Sequence, residues 1–341
     1  MARPSKQEIP GYVIKPLLKA GVFLILLLLV VEQSYRIYSL GSAAFSPRLF
    51  NSYNLLLKSD FVRLSEFPDI YFELKPDLDG WYRGNRFTTN SAGLADREYA
   101  REKPAGVTRV AVVGSSWTMA TGVPQEAAWH ARLESELNRG TTPPRFEFIN
   151  FGVEYYGLRE LVATVRHKVP LWQPDILHVD LTTFTGYLLW DTADPGQRLP
   201  AKATPFFQSY ALRALAAAAG IGIYDGAMEG RPTVGGDVAL AHDQTVRALR
   251  EIAALAAELD VPVVFSWLSF GRPGPQLDQR LRTLASELGL VYVPAYESIR
   301  QRGHRKGQPI TASHPDAETH RIIARRVRGA MAASGLLPSR R

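Results

Sequence analysis

The chain of 341 residues contains no cysteine. This absence excludes disulfide bonds, thiolate metal sites and a cysteine nucleophile. It is compatible with an oxidising compartment but does not require one. No basic stretch is interleaved with aromatic residues, although the formal charge is +7, so we expect no nucleic-acid partner. No internal repeat is found, and a hydrophobic content of 46% is typical of a folded globular protein.

One long apolar run lies near the N-terminus, at residues 21–31. Apolar residues upstream extend it to the lower end of a membrane-spanning length of about 17–25 residues, and Lys15 and Lys19 can reach toward the headgroups. Basic residues precede the run, which favours a cytoplasmic N-terminus. We therefore predict a cytoplasmic tail at 1–12, a transmembrane anchor at 13–35, and a main domain outside the cytoplasm.

A cleaved signal peptide is the alternative interpretation of this run. Cleavage needs small residues soon after the apolar segment, and the first such set, Ser42-Ala43-Ala44, comes late. Glu32 and Arg36 lie where the cleavage site should be. An uncleaved anchor is favoured. A buried globular helix is disfavoured, because this one is apolar on all sides.

Strand and helix patterns alternate through most of the remaining chain. This alternation predicts an α/β fold: a three-layer α/β/α, flavodoxin-like domain with a mainly parallel central sheet, at residues 81–335. A juxtamembrane linker and lead-in at 36–80 precede it, with a turn at 77–80, and a basic tail at 336–341 follows. Residues 190–240 indicate an insertion with one short helix at 210–219. Residues 86–94 are predicted as a strand that runs into a turn. Further strands are predicted at 71–74, 108–113, 146–151, 176–181, 261–268 and 290–294, and helices at 124–138, 157–169, 243–259, 275–288 and 316–333.

Two loops that follow predicted strands contain residues suited to acyl chemistry. Gly114-Ser115-Ser116 comes directly after the strand at 108–113, and a serine at such a turn can present its hydroxyl to a cleft. The alternative is a serine that caps the next helix. Asn150 and Gly152 follow the next strand, where a glycine lets the backbone offer its N–H to a ligand or simply forms a turn.

A third segment carries a candidate base. His314 stands before Pro315 at the start of the last predicted helix, where it could act as general base to a serine. His320 is expected to be structural and to face the sheet or the loop. The spacing of the two histidines places them on different helix faces, and a third ligand is lacking, so neither a metal site nor any cofactor is expected.

In this order, the three segments resemble the blocks of the SGNH/GDSL hydrolase family over about residues 70–335. The first block is matched by Gly114, Ser116, Thr118, Gly122 and Val123, the second by Asn150, Gly152 and Gly157, and the last by His314, Pro315, Asp316 and His320. Residues 89–94 resemble the lead-in of envelope-anchored bacterial members. The resemblance implies Ser116 as nucleophile, His314 as base, and the backbone N–H groups of Ser116 and Gly152 as oxyanion donors. It also implies a single-pass protein of the bacterial inner membrane with a periplasmic domain.

Two departures from the family pattern bear on activity. The family's third oxyanion donor, an asparagine, is missing from residues 182–186, and Thr311 stands where the catalytic aspartate is expected. Losing one oxyanion donor typically costs about 10²–10³ in rate. Losing the charge of the acid costs up to about 10⁴. Thr311 and Asp316 are possible supporting residues, and Asp180 is a further substitute, although its spacing does not fit the family's place.

Two hypotheses remain open. The first is an esterase or O-acyltransferase that acts on ester groups of envelope glycans or lipids through a Ser116–His314 dyad. The second is a catalytically inactive subunit that docks on, or stabilises, a larger inner-membrane protein complex. Several aromatic residues could lie near the cleft, bind a sugar or pack into the core: Tyr155, Tyr156, Tyr187, Trp190, Phe206 and Phe207.

Overall fold

The computed structural model describes residues 11–48, 60–142, 145–188, 209–219, 236–302 and 314–338. Its strands in these ranges are β1 Val62–Leu64, β2 Phe72–Leu74, β3 Asp79–Tyr82, β4 Asn85–Thr88, β5 Thr108–Val113, β6 Phe146–Asn150, β7 Ile176–Leu181, β8 Val263–Trp267 and β9 Val291–Val293. Its α-helices are α1 Gly11–Leu40, α2 Trp129–Leu137, α3 Leu158–His167, α4 Thr183–Tyr187, α5 Tyr210–Ala218, α6 Val238–Glu258, α7 Pro275–Leu288, α8 Tyr296–Arg302 and α9 Ala317–Ala333.

A five-stranded, all-parallel sheet in the order β6-β5-β7-β8-β9 forms the centre of the domain. β5 shows why it is buried on both faces: Ala111 and Val113 contribute to one hydrophobic core, and Val110 and Val112 to the other. Helices α3, α6 and α7 cover the first face, and α2, α8 and α9 cover the second. The predicted three-layer α/β/α architecture is therefore confirmed.

Several predicted boundaries differ from the structure. The helix predicted at 124–138 is a 3₁₀ turn, Gln125–Ala127, followed by α2, because the backbone of Ala128 between them is extended (φ −56°, ψ 147°). The helix predicted from 243 begins at Val238, where the Asp237 carboxylate accepts the N–H of Leu240 at 2.9 Å. The short helices α4 and α8 were not predicted.

The segment predicted as a lead-in packs into the domain core. β1 and β2 form an antiparallel pair, and Val62, Phe72 and Leu74 are buried with the side chains of the main sheet. Residues 79 and 80, predicted as part of a turn, belong to β3, which pairs with β4. This second hairpin carries Tyr82 and Arg83 toward the C-terminal end of the main sheet, where they contact Glu154.

Helix α1 is long and apolar enough to cross a membrane by length and composition. It extends beyond the predicted 13–35 at both ends, and its side chains from Val22 to Val31 are each at least 46% exposed. Of the predicted insertion, residues 209–219 and 236–240 are described, and the short helix predicted there is α5. In the predicted tail, Leu337 is buried against the second core.

Candidate functional site

A pocket of about 460 Å³ opens at the C-terminal ends of β5, β7 and β8. Loops that follow four of the parallel strands supply its walls, together with His314 at the start of α9. This edge is where open α/β sheets bind ligands. The lining residues are Ser116, Trp117, Glu154, Tyr155, Thr182, Thr183, Phe184, Leu268, Ser269, Phe270 and His314.

Ser116 reaches the pocket from a tight turn after β5. The N–H groups of Thr118 and Met119 donate to the carbonyl of Ser115 at 3.0 and 2.9 Å. A Cβ atom on Gly114 would lie 1.9 Å from Oγ1 of Thr118, so only glycine fits there. Ser116 is partly exposed, whereas Ser115 is buried and its hydroxyl has no partner among the described residues. The N-cap of the next α-helix is Ala128, so Ser116 is not that helix's cap.

A buried polar cluster on the neighbouring strands fixes the Ser116 turn through hydrogen bonds. The Asp180 carboxylate accepts the Thr118 hydroxyl at 2.8 Å and the Trp129 indole N–H at 3.0 Å through the same oxygen. Its other oxygen lies 3.1 Å from Nε2 of His178, which also contacts the Ser266 hydroxyl at 2.9 Å. Asp180 therefore anchors the serine turn to β7, which is a different role from the substitute acid considered above.

Two more buried histidines complete this cluster. Nε2 of His130 contacts the Thr118 carbonyl at 3.0 Å, and Nδ1 of His320 accepts the N–H of Trp129 at 3.2 Å. Burial lowers the pKa of His130 to about 4 and that of His320 to about 3, so both are neutral at pH 7. His320 thus has the interior position expected for a structural residue. Among the described residues, no group of three or more His, Asp or Glu side chains could hold a metal ion.

Gly152 does not line the pocket. A Cβ atom here would lie 2.6 Å from the Met119 backbone nitrogen and 2.7 Å from Cβ of Thr118, so the glycine permits close contact between two loops. Its N–H donates to Oδ1 of Asn150 at 2.8 Å. In this structure, therefore, the Asn150 side chain accepts the N–H that the sequence assigns to the oxyanion hole.

His314 lines the same pocket as Ser116. Burial and, second, the charge of Arg83 lower its pKa to about 3, so the imidazole is neutral at pH 7. Asp316 serves α9 as its N-cap, since its Oδ1 accepts both the N–H and the hydroxyl of Thr319 at 2.8 Å. The position of Thr311 lies outside the described residues.

A buried ion pair at the pocket wall is not predicted by the sequence. Glu154 is 2% exposed, and its carboxylate accepts hydrogen bonds from the Arg83 guanidinium at 3.1 Å and from the Tyr82 hydroxyl. Burial raises the pKa of Glu154, and the Arg83 charge opposes that rise. Glu154 lies four residues after Asn150, and this position after a predicted strand indicates a loop near the edge of the sheet. Its partner lies 71 residues upstream, which no local pattern reveals.

The aromatic residues divide between the wall and the core. The Tyr155 ring meets Phe184 edge-on at 5.9 Å, and Trp117 meets Phe270 at 4.9 Å, so four aromatic residues line the pocket. Tyr156 is instead buried and donates to the Phe72 carbonyl at 2.7 Å. The predictions for Trp190, Phe206, Phe207 and the Tyr187 side chain fall outside what the structure describes.

No protein-family model and no curated protein matches the chain. Solved structures do match. The crystal structure of TesA aligns with 67% of this chain and 100% of its own, at 15% identity and a TM-score of 0.43. A lipolytic G-D-S-L family member from Veillonella parvula covers 65% and 97%, at 13% identity and 0.40. Axe2, an acetylxylan esterase from Geobacillus stearothermophilus, covers 66% and 94%, at 14% identity and 0.41. At these identities the likeness concerns the fold alone.

Proposed function

We propose that the chain is a membrane-anchored, extracytoplasmic ester hydrolase or O-acyltransferase with a Ser116–His314 dyad. One observation carries the proposal: Ser116 and His314, which are far apart in sequence, line the same pocket at the C-terminal edge of the sheet. The pocket's remaining wall is mostly aromatic and apolar, which suits the acyl or sugar portion of an ester. Esters of envelope glycans or lipids are the substrate class we propose.

The proposed reaction proceeds through an acyl-enzyme. Ser116 Oγ attacks the ester carbonyl while its proton passes to the His314 imidazole, which is neutral and able to accept it. The backbone N–H of Ser116 is the proposed oxyanion donor, and the N–H of Gly152 can join it only after Asn150 releases it. The proton on His314 then leaves with the alcohol. Water or an acceptor hydroxyl resolves the acyl-enzyme by the reverse path.

This dyad should be slow. The charge of Arg83 lowers the pKa of His314 and so disfavours the imidazolium, and in the sequence Thr311 stands where the family's catalytic aspartate is expected. An orienting carboxylate typically contributes up to about 10⁴ in rate in a triad. We therefore expect turnover well below that of a complete triad.

A non-catalytic role is the second candidate, and it is favoured by the hydrogen bond that occupies the Gly152 N–H. In this alternative the domain is a scaffold that docks on, or stabilises, other inner-membrane proteins. Purification of the full-length chain in a mild detergent tests it: a stoichiometric partner supports the scaffold, and a lone monomer argues against it.

Hydrolysis of a short-chain p-nitrophenyl ester by the full-length protein tests the catalytic proposal. Ser116→Ala is expected to abolish turnover. Ser115→Ala is the matched control, because Ser115 is the adjacent serine but is buried and does not line the pocket. Equal rates for wild type and Ser116→Ala would sink the dyad.

The proposed topology is one span with the N-terminus in the cytoplasm and the domain in the periplasm. Because the chain lacks cysteine, a single engineered cysteine reports its own side of the membrane. In intact cells, a membrane-impermeant maleimide is expected to label Ser91→Cys, at an exposed position of the domain, and not Ser5→Cys. Labelling of Ser5→Cys alone would reverse the topology.

A further inference from the structure

Helix α5 is fastened to α1 at the end of the apolar run. Glu32 follows that run directly, and its carboxylate accepts the backbone N–H groups of Tyr210 and Ala211, each at 3.0 Å. The Ser209 hydroxyl donates to the same carboxylate at 2.7 Å. These donors lie at the N-terminus of α5, where unpaired N–H groups and the helix dipole favour a negative charge.

Arg36 completes the junction between the two helices. Its Nε donates to Glu32 at 2.6 Å, and its guanidinium carbon lies 5.9 Å from the centre of the Tyr210 ring. The first turn of α5 is therefore fixed to one point on α1, immediately beyond the segment that is apolar on all sides.

The composition of α5 and the exposure of its Leu215 side chain suit an apolar environment better than water. Residues 210–219 contain one charged residue, Arg213, among alanines, leucines and a tyrosine. Leu215 is 66% exposed, as much as the side chains of the predicted span. Leu27 and Val31, one helical turn apart, are the least exposed of residues 22–31, at 47% and 46%. Since α5 lies against α1, this pattern indicates contact on the side of the span.

We propose that α5 lies in the membrane interface beside α1, with Leu215 against lipid acyl chains and Glu32 fixing its depth. The inference rests on the proposed anchoring of α1. Lipid is the occupant that the structure favours, because no residue in the most apolar part of α1 is buried by the described part of the chain.

Site-specific quenching of a fluorophore by lipid tests this placement. The full-length chain is reconstituted into vesicles of phosphatidylcholine and phosphatidylglycerol that carry bromine on the acyl chains. A nitrobenzoxadiazole label is attached to Leu215→Cys, to Leu26→Cys in the span, or to Leu171→Cys, a leucine of the α/β domain that is 56% exposed.

Quenching at positions 26 and 215, but not at 171, is the expected result. Quenching at 26 without quenching at 215 overturns the placement of α5 and leaves the anchor intact, whether water or a protein partner covers Leu215. An absence of quenching at all three positions overturns the anchor, and the inference with it.

Removing the carboxylate tests the role of Glu32. In Glu32→Ala, quenching at 215 is expected to fall by at least half while quenching at 26 is unchanged. The matched control is Glu66→Ala, which removes an exposed carboxylate in the loop between β1 and β2. Unchanged quenching at 215 in Glu32→Ala would contradict the proposed junction.

Discussion

The two sides of the pocket are built in different ways. On the serine side, Asp180 binds the turn through Thr118 and Trp129, and its neighbours are fully buried. On the histidine side, His314 stands before the cap of α9, and the charge that acts on its pKa is the cation of Arg83. The nucleophile turn is therefore held by a buried carboxylate, whereas the charge that acts on the pKa of the proposed base is a cation. The serine side is thus built for stability, whereas the histidine side determines how well the proposed base can accept a proton.

Removing the Asp180 carboxylate should have the largest effect. In Asp180→Ala the Trp129 N–H and the Thr118 hydroxyl lose their acceptor inside the core, and each orphaned buried group costs about 1–3 kcal/mol. We expect the free energy of unfolding to fall by about 3–5 kcal/mol in urea denaturation of detergent-solubilised protein. Asp180→Asn keeps an acceptor oxygen and should lose less. A loss below about 1 kcal/mol for Asp180→Ala would mean that the serine side is not rigidly anchored.

Gly152→Ala tests the close contact between the two loops on the same side. The added Cβ would meet backbone atoms of Thr118 and Met119, and overpacking of this kind costs about 1–3 kcal/mol in the free energy of unfolding. Gly329→Ala is the matched control, since its Cβ would meet nothing within 4 Å and alanine favours the helix there. The control should be neutral or stabilising in the same denaturation experiment. Equal stability of both variants would contradict the contact.

On the histidine side, Arg83→Met should raise the pKa of His314 above about 3, toward its ordinary value near 6.5, without reaching it, because burial is the larger cause. A folded-state pKa below the unfolded value makes the neutral imidazole stabilising above about pH 6.5. That stabilisation is lost as the pH falls toward 3. In Arg83→Met the lower limit of this pH range should therefore rise, because the folded-state pKa of His314 is higher.

NMR titration of histidine ring carbons measures the shift, and loss of a resonance in His314→Asn assigns it. Glu154→Gln serves as the control, because it removes the neighbouring anion and keeps the Arg83 cation, so the pKa of His314 should not rise. An unchanged pKa of His314 in Arg83→Met would show that the Arg83 charge does not act on His314.

The smallest effect concerns Tyr155, which lines the pocket with a left-handed backbone (φ 69°). Such a conformation costs about 1–2 kcal/mol for a residue other than glycine, and Tyr155→Gly relieves that strain but loses the ring contact with Phe184. We expect a change in unfolding free energy below about 1 kcal/mol. Asp260→Gly, at φ 54° after α6, should instead stabilise by about 0.5–1 kcal/mol. A larger gain for Tyr155→Gly would show that the ring contact contributes little.

Local patterns were enough to predict the parallel sheet and the serine turn. The buried strand β5 ends in a short apolar run, and Gly114 and Ser116 follow it directly. Those signals are contained within a few residues of sequence. In a parallel sheet, the loops that follow the strands lie at the same edge.

Long-range contacts escaped prediction. The Arg83–Glu154 ion pair joins a hairpin to a loop after β6, and the hairpin itself was partly predicted as a turn. The hydrogen bond between Gly152 and Asn150 depends on one side-chain rotamer, which sequence does not specify. Both contacts lie near the candidate site. The fold was therefore more predictable from the sequence than the site.

Reaction with a fluorophosphonate probe, mapped by peptide mass spectrometry on the full-length protein, tests the central claim most directly. The account predicts one modified residue, Ser116, in wild type and in Ser115→Ala, with labelling slowed at least about 100-fold in His314→Ala. Wild type that stays unmodified, or that is modified elsewhere at the rate of Ser116→Ala, would contradict a Ser116–His314 acyl-transfer site.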